Sequence, residues 1–276
     1  MPSRAVTTGV PQWDNLRMTF STIDYDSWAE KYDQTRGVSP SVLSLMLEAL
    51  GPPDGRRLLD IGAGTGNYTV ALRDAGFHAL PCDPSAGMAR RAASKLDAAV
   101  LANGQALPFE DASFDCAVAV KVLNHVPDRL AFAREARRII GAGPLVLVHA
   151  TMETIAGNWI SHYVPSLLTQ ERFEPEAATV AYLKQAGFRE VAISHIRYQD
   201  MADGSAQALK HFPDTFLTDE RIMNTSLFSR LPEAHRCEAL AAIRRDHASG
   251  RLRELTLEYE PLSENYGDGA MLVGHP

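Results

Sequence analysis

The sequence predicts a doubly wound α/β fold: a mostly parallel sheet of seven strands with an antiparallel edge strand, plus helical insertions. Three observations predict it. From residue 57 to about 198, short apolar segments alternate with amphipathic helical ones, the rhythm of crossover units with helices on both sheet faces. A glycine-rich turn at 62–67 separates a strand from a helix. An acid, Asp83, stands at the end of the second strand, on the edge where open α/β sheets bind ligands.

The elements follow in order. A helix over 23–36 places Tyr25, Trp28, Ala29, Tyr32 and Arg36 on one side. A second begins at Ser39 with Pro40 in its first position. It turns Val42, Leu43, Met46, Leu47 and Leu50 inward and stops at Gly51-Pro52-Pro53. Residues 1–20 read as a loose leader. Strands are predicted at 57–61, 77–81, 99–101, 114–120 and 145–148. The helices between them run over 68–75, from a Ser85 cap to about 96, and from an Asp128 cap to 140. A helix at 175–186 leads into a strand at 190–197, and 270–273 reads as a last edge strand. Two stretches break the rhythm: 150–174, rich in aromatic residues, and 199–255, helical with loops at Pro213, Pro232 and Gly250. The organisation predicted is a helical lid over 1–56 and a core over 57–198 that carries the 150–174 insertion. A helical cap over 199–255 and a closing strand within 256–276 complete it.

Composition narrows the function classes. The chain has 276 residues, 45% hydrophobic and 22% charged, which excludes a disordered or fibrous protein. A net charge of −7 argues against nucleic acid or an anionic membrane as partner. Cys82, Cys116 and Cys237 are too few and too scattered for a disulfide framework. With no signal-peptide pattern and no apolar run of about 18 residues, a cytoplasmic location is expected. The histidines are dispersed, and His235-Arg-Cys237 has too few companions for a metal site, so no metal is expected. Arg244, Arg245, Arg251 and Arg253 read as a solvated helix face or as a site for an acidic group.

Residues 58–67 are the most informative. Glycines between a strand and a helix start let the backbone turn sharply and approach a ligand, while the helix offers free N–H groups. A dinucleotide fingerprint wants glycines at the first, third and sixth positions of the loop. Here Gly62, Gly64 and Gly66 take the first, third and fifth, and Asn67 the sixth, which disfavours NAD and FAD. Asp83 follows Gly62 by 21 residues. Alone it reads equally as a turn or helix cap; with the loop it reads as a ribose-binding acid.

Four segments in this order carry a resemblance. They are Tyr25-Asp26 with Tyr32-Asp33 and Arg36; Leu59-Asp-Ile-Gly-Ala-Gly-Thr-Gly66; Asp83-Pro84-Ser85 with Met88; and Ala106-Leu-Pro-Phe109 with Ser113-Phe-Asp115, Val122-Leu-Asn-His-Val126 and Glu135-Ala-Arg-Arg138. Over about residues 23–150 the chain resembles the class I S-adenosylmethionine-dependent methyltransferases, small-molecule subgroup, which have a Rossmann-like fold. The resemblance implies S-adenosylmethionine as cofactor and S-adenosylhomocysteine as product. Gly62, Ala63, Gly64 and Gly66 would pass behind the methionyl part, and Asp60 would hold its ammonium. Asp83 would bind the ribose, Pro84 and Met88 the adenine face, and Asn103 and Gly104 the adenine edge. The family commonly has an acid where Asn103 stands; its amide oxygen can still accept a hydrogen bond. Lys121 and Val122 would lie near the methyl group, and Tyr32 and Arg36 would belong to a lid.

The acceptor side is read from positions along the same sheet edge. His125 and His149 are the candidate general bases; each reads equally as a packed structural imidazole. Tyr25, Asn124, Glu153, Trp159, His162 and Tyr163 are the candidate substrate-pocket residues. Plain helix packing is the competing reading for Tyr25, Trp28 and Tyr32, and a solvated strand end for Lys121. The expected partner is a small-molecule acceptor, with homodimerisation left open. A repurposed enzyme catalysing cyclisation and a non-catalytic cofactor-binding scaffold are the rival readings.

Overall fold

Seven strands form one sheet in the order β3-β2-β1-β4-β5-β7-β6. They are Arg57–Ile61 (β1), His78–Asp83 (β2), Val100–Leu101 (β3), Cys116–Val120 (β4), Leu145–His149 (β5), Glu190–Ile196 (β6) and Gly269–His275 (β7). The computed structural model describes residues 24–169, 173–217, 225 and 227–276; the leader expected over 1–20 lies outside them. β1 to β5 pair in parallel, whereas β7 is antiparallel to both neighbours. The antiparallel strand foreseen at this end of the sheet is therefore β7, and β6 lies outside it. Burial explains the order: β7 is buried from Gly269 to Gly274, while most of β6 is exposed and suits an outer position.

Helices Tyr25–Thr35 (α1), Pro40–Leu50 (α2), Asn67–Asp74 (α3) and Ala86–Leu96 (α4) precede or connect the first strands. Val42, Met46 and Leu50 of α2 and Leu72 of α3 pack on one sheet face with Leu58, Val118 and Val146. The other face is covered by Arg129–Ile139 (α5) and Glu176–Gln185 (α8), through Phe132, Ala136, Ile139 and Leu183. Local chemistry sets the boundaries. The Asp24 carboxylate accepts from the Asp26 and Ser27 N–H groups at the start of α1. Ser85 and Asp128 cap α4 and α5 as their sequences predict. Ser39 sits at the N-cap of α2 but gives its hydroxyl to Asp200 at 2.8 Å instead.

The two stretches that break the alternation come together as one helical layer. Met152–Ala156 (α6) and Ile160–Tyr163 (α7) join Ala206–Leu209 (α9), Pro213–Phe216 (α10), Glu233–Ser249 (α11) and Arg251–Tyr266 (α12). Ile155, Trp159, Leu209, Phe216, Phe228, Ile243 and Leu255 form a core within this layer, separate from the two sheet cores. α12 runs through the boundary expected at 255–256, because Leu252, Leu255 and Ser263 on one of its sides are all buried. Gly250 at φ 83 makes the left-handed link between α11 and α12. A buried polar cluster joins cap to sheet. Lys210 and His211 both pair with Asp268, which also accepts from the Tyr198 N–H at 2.8 Å.

Candidate functional site

The site lies at the carboxyl edge of the parallel strands, where strand order turns from β1 to β4. Gly62 leaves β1 at φ 74, and a Cβ there would fall 2.5 Å from Val122 Cγ2. Only glycine fits both that backbone and that contact. The N–H of Gly64 donates to Asp83 Oδ2 at 2.8 Å, and the Ser85 N–H to Oδ1 at 2.9 Å. Burial raises the Asp83 pKa, opposed by these two donors. Asp60 is buried behind the loop and accepts from Thr69 Oγ1 at 2.6 Å. Burial pushes its pKa up to about 7.

Helix α1 lies across this loop and is pinned at two points. Asp26 accepts from Ser85 Oγ at 2.6 Å and from the Gly87 N–H at 2.7 Å. A Cβ on Gly87 would meet the Asp26 backbone oxygen at 2.7 Å, so glycine there admits the helix. Asp33 accepts from Thr65 Oγ1 and from Asn67 Nδ2, and pairs with Lys95 at 2.7 Å.

Three cavities share walls beneath α1. The largest, about 490 Å³, is lined by Asp83, Pro84, Met88 and Val122 with Gly62 and Gly64. A hollow of about 60 Å³ reaches Asp60, Ala63 and Arg36. A chamber of about 80 Å³ extends toward the cap, between Trp28, His149, Phe173 and Tyr198. Tyr32 and Lys121 line all three; Tyr25, Asn124 and His125 line the first and last.

Lys121 is the hinge of this arrangement. It leaves β4 at φ 60, a left-handed conformation that an L side chain adopts only at a cost. Its Nζ pairs with Asp203 and lies 5.1 Å from the centre of the Tyr198 ring. Arg36 Nη1 is 3.6 Å from the same carboxylate, and the Tyr198 hydroxyl donates to it at 3.2 Å. Burial pulls the Lys121 pKa down to about 8, and Arg36 adds to the effect against the pull of Asp203. Burial works to raise the Asp203 pKa, but Lys121 and Arg36 outweigh it and hold the carboxyl below its ordinary range.

The two histidines differ. His125 Nε2 is 3.2 Å from Tyr25 Oη, with the rings edge to face. His149, at the end of β5, is 4% exposed. Its Nε2 has no hydrogen-bond partner among the described residues. Burial, then the charge of Arg129, pulls its pKa down to about 4.

Other candidate residues are placed elsewhere. Glu153 accepts from the Glu176 N–H and so caps α8. Trp159 is buried in the cap core and donates from Nε1 to the Lys210 carbonyl at 3.0 Å. Tyr163 donates to Asp246 at 2.8 Å, and His162 packs edge-on against Tyr163. Asn103 Oδ1 accepts from the Gln105 N–H within its own turn, and a Cβ on Gly104 would strike Phe132 at 2.8 Å. Gly66 serves packing: its Cβ would lie 3.2 Å from Ala92. None of these seven lines the three cavities. Their hydrogen-bonding and packing capacity is spent in the cap, in a turn or on helix α4. Conversely, Tyr198, Asp203 and Asp268 are site residues that the sequence reading missed. β7 is antiparallel, so its start, next to Asp268, reaches the edge where the other strands end; that pairing was the signal.

A model of the methyltransferase domain matches residues 59–148, from β1 to β5. An uncharacterized methyltransferase of Mycobacterium leprae is 35% identical over 105 residues, 37% of this chain and only 39% of that protein. A demethylmenaquinone methyltransferase of Beutenbergia cavernae is 29% identical over 167 residues, 55% of this chain and 70% of the relative. Residues 59–148 therefore carry a methyltransferase domain, and the relatives that match are methyltransferases. The fold agrees. A putative methyltransferase from an antibiotic biosynthesis pathway of Anabaena variabilis superposes with a TM-score of 0.74 at 24% identity, over 88% of this chain and 99% of that one. The stretch of the chain matched by the domain model contains the glycine loop, Asp83 and Lys121. α1 and the cap helices lie outside it.

Proposed function

We propose that this methyltransferase transfers the methyl group of S-adenosylmethionine to a small molecule held in the chamber beneath the cap. One observation carries the reading. Tyr32 and Lys121 wall both a cavity of about 490 Å³, within the ~300–1,000 Å³ of cofactor sites, and a chamber of about 80 Å³ closed by the cap. A polymer does not fit the smaller chamber; a small molecule does.

The residues present fit the cofactor. The loop glycines have no side chain to obstruct the large cavity, and Asp83 keeps lone pairs beyond its two backbone donors. Gly62, Ala63 and Gly64 would back the methionyl part and Asp60 its ammonium. Asp83 would take the ribose, Pro84 and Met88 would face the adenine, and Val122 would lie near the methyl group. Arg36 and Tyr32 close the site from α1. When bound, the cofactor supplies an activated methyl on a positively charged sulfur. The chain then contributes orientation, worth up to about 7–11 kcal/mol of a barrier, and exclusion of water. A base that receives the acceptor's proton adds ~10²–10⁴-fold; of the two candidate histidines His125 would serve, because burial and the Arg129 charge keep His149 neutral.

Calorimetric titration with S-adenosylmethionine, S-adenosylhomocysteine and NADH tests the cofactor assignment. Micromolar binding of the two adenosyl ligands and none of NADH is expected. Asp83→Ala should weaken adenosyl binding by about 1–3 kcal/mol, the scale of a charged hydrogen bond. Folded protein that ignores both adenosyl ligands overturns the proposal. Binding without S-adenosylhomocysteine release against any small-molecule pool points to the cyclisation or scaffold alternative.

A further inference from the structure

Resting on the methyltransferase reading above, we propose that the inner chamber binds a single-ring phenol. His149 Nε2 accepts the hydrogen bond of its hydroxyl, between aromatic walls formed by Trp28, Phe173 and Tyr198.

The vacancy on His149 comes first. The ring is buried, lines the chamber, and leaves Nε2 without a partner among the described residues. A buried acceptor left unmade costs about as much as a good hydrogen bond contributes, so a partner is to be expected. The ring's backbone hydrogen bond, with Ala150, favours the protonated ring, which marks His149 as the donor there. That tautomer leaves Nε2 with a bare lone pair. Burial and the neighbouring Arg129 charge keep the ring neutral, so it offers an acceptor and not a cation. The ligand must therefore bring a donor.

Charge and shape narrow the donor's class. Aromatic walls alone would also suit an ammonium ion. Here Arg36 and Lys121 already share the single carboxylate of Asp203 beside the chamber. Asp268, the carboxylate that lines the chamber itself, is engaged by Lys210 and His211. A third cation would meet repulsion, whereas a neutral or partly anionic oxygen would not. The flat walls favour a planar ring, and a volume of about 80 Å³ leaves no room for a second one. An apolar cavity of ~150 Å³ takes up benzene, so even one ring draws on movement of the partly exposed Trp28 and Tyr25 on α1.

The test uses the full chain labelled with ¹⁵N-histidine and saturated with S-adenosylhomocysteine. Phenol and anisole are the probes: same ring, with and without the donor. Phenol should move the His149 Nε2 resonance in a saturable way and bind about tenfold more tightly than anisole, one hydrogen bond's worth. His149→Phe should erase that preference while S-adenosylhomocysteine affinity stays within twofold. His149→Gln, whose amide oxygen can accept, should keep part of it. Equal binding of phenol and anisole, an unmoved Nε2 resonance, or undiminished preference in the His149→Phe protein overturns the inference and assigns the vacancy to a water molecule. Because S-adenosylhomocysteine binding is read separately, its absence sinks the cofactor reading instead.

Discussion

Asp60, the proposed partner of the cofactor's ammonium, would serve that ligand at the expense of the fold. Its carboxyl is buried with a single side-chain donor, Thr69, and burial lifts its pKa to about 7. An acid raised in the folded state stabilises that state below its unfolded value, near 3.8, and loses the contribution as pH climbs through 7. At pH 8 the empty protein thus holds a costly buried carboxylate. Asp60→Asn keeps the acceptor for Thr69 and removes the charge. The variant should unfold at higher denaturant at pH 8, by up to about 4 kcal/mol, with the gain gone near pH 4. It should also bind S-adenosylmethionine more weakly, since a neutral amide cannot pair with an ammonium. Denaturant titrations at the two pH values check the sign; lower stability at pH 8 would contradict it. Lys121 carries the same tension in its backbone, held at φ 60 by the β4 edge and the Asp203 pair.

At the scale of elements, α1 behaves as a strap fastened at both ends. Asp26 ties it to the start of α4, and Asp33 ties it to the glycine loop and Lys95. Burial works to raise the Asp33 pKa, but Lys95, Thr65 and Asn67 bring it below its ordinary value. Asp33→Ala removes one fastening and leaves Asp26 in place. Amide exchange across 25–35 should quicken about tenfold, and S-adenosylhomocysteine should dissociate faster, with the sheet unaffected. Unchanged exchange in α1 would show that aromatic packing, not Asp33, holds the strap. These elements were the legible part of the sequence. Caps at Ser85 and Asp128, the proline at Pro40 and the glycine turn are local signals, and local backbone chemistry decides helix ends and tight turns. The cap was less legible for a physical reason. Trp159 and Tyr163 look the same in sequence whether they wall a ligand site or fill a core. Here their polar tips are satisfied by the Lys210 carbonyl and Asp246 inside the cap. Asp203 was invisible because its meaning comes from Lys121, distant in sequence.

Across the whole molecule, two packed bodies share one boundary, and the chamber lies on it. The sheet has cores on both faces and the cap has its own. The polar joint between them is Lys210, His211, Asp268 and the Tyr198 N–H, with Lys210 also donating to Ser263 at 3.0 Å. Asp268 is 1% exposed, so its charge depends on those partners. Removing one partner of a buried pair costs ~3–5 kcal/mol, because the other charge stays behind in a medium that cannot solvate it. Lys210→Met preserves the length and bulk of the side chain and withdraws only the charge. The cap core can hold α11 and α12 together on its own, so the lost energy should fall on the joint and not on the helices or the sheet separately. Exchange of amides that open only when the cap lifts, in α11 and α12, should then accelerate ~10²–10³-fold. Amides of β1, β4 and β5 should keep their protection. Acceleration of both sets by one factor would mean that cap and sheet unfold only together, and that the chamber cannot open by lifting its roof.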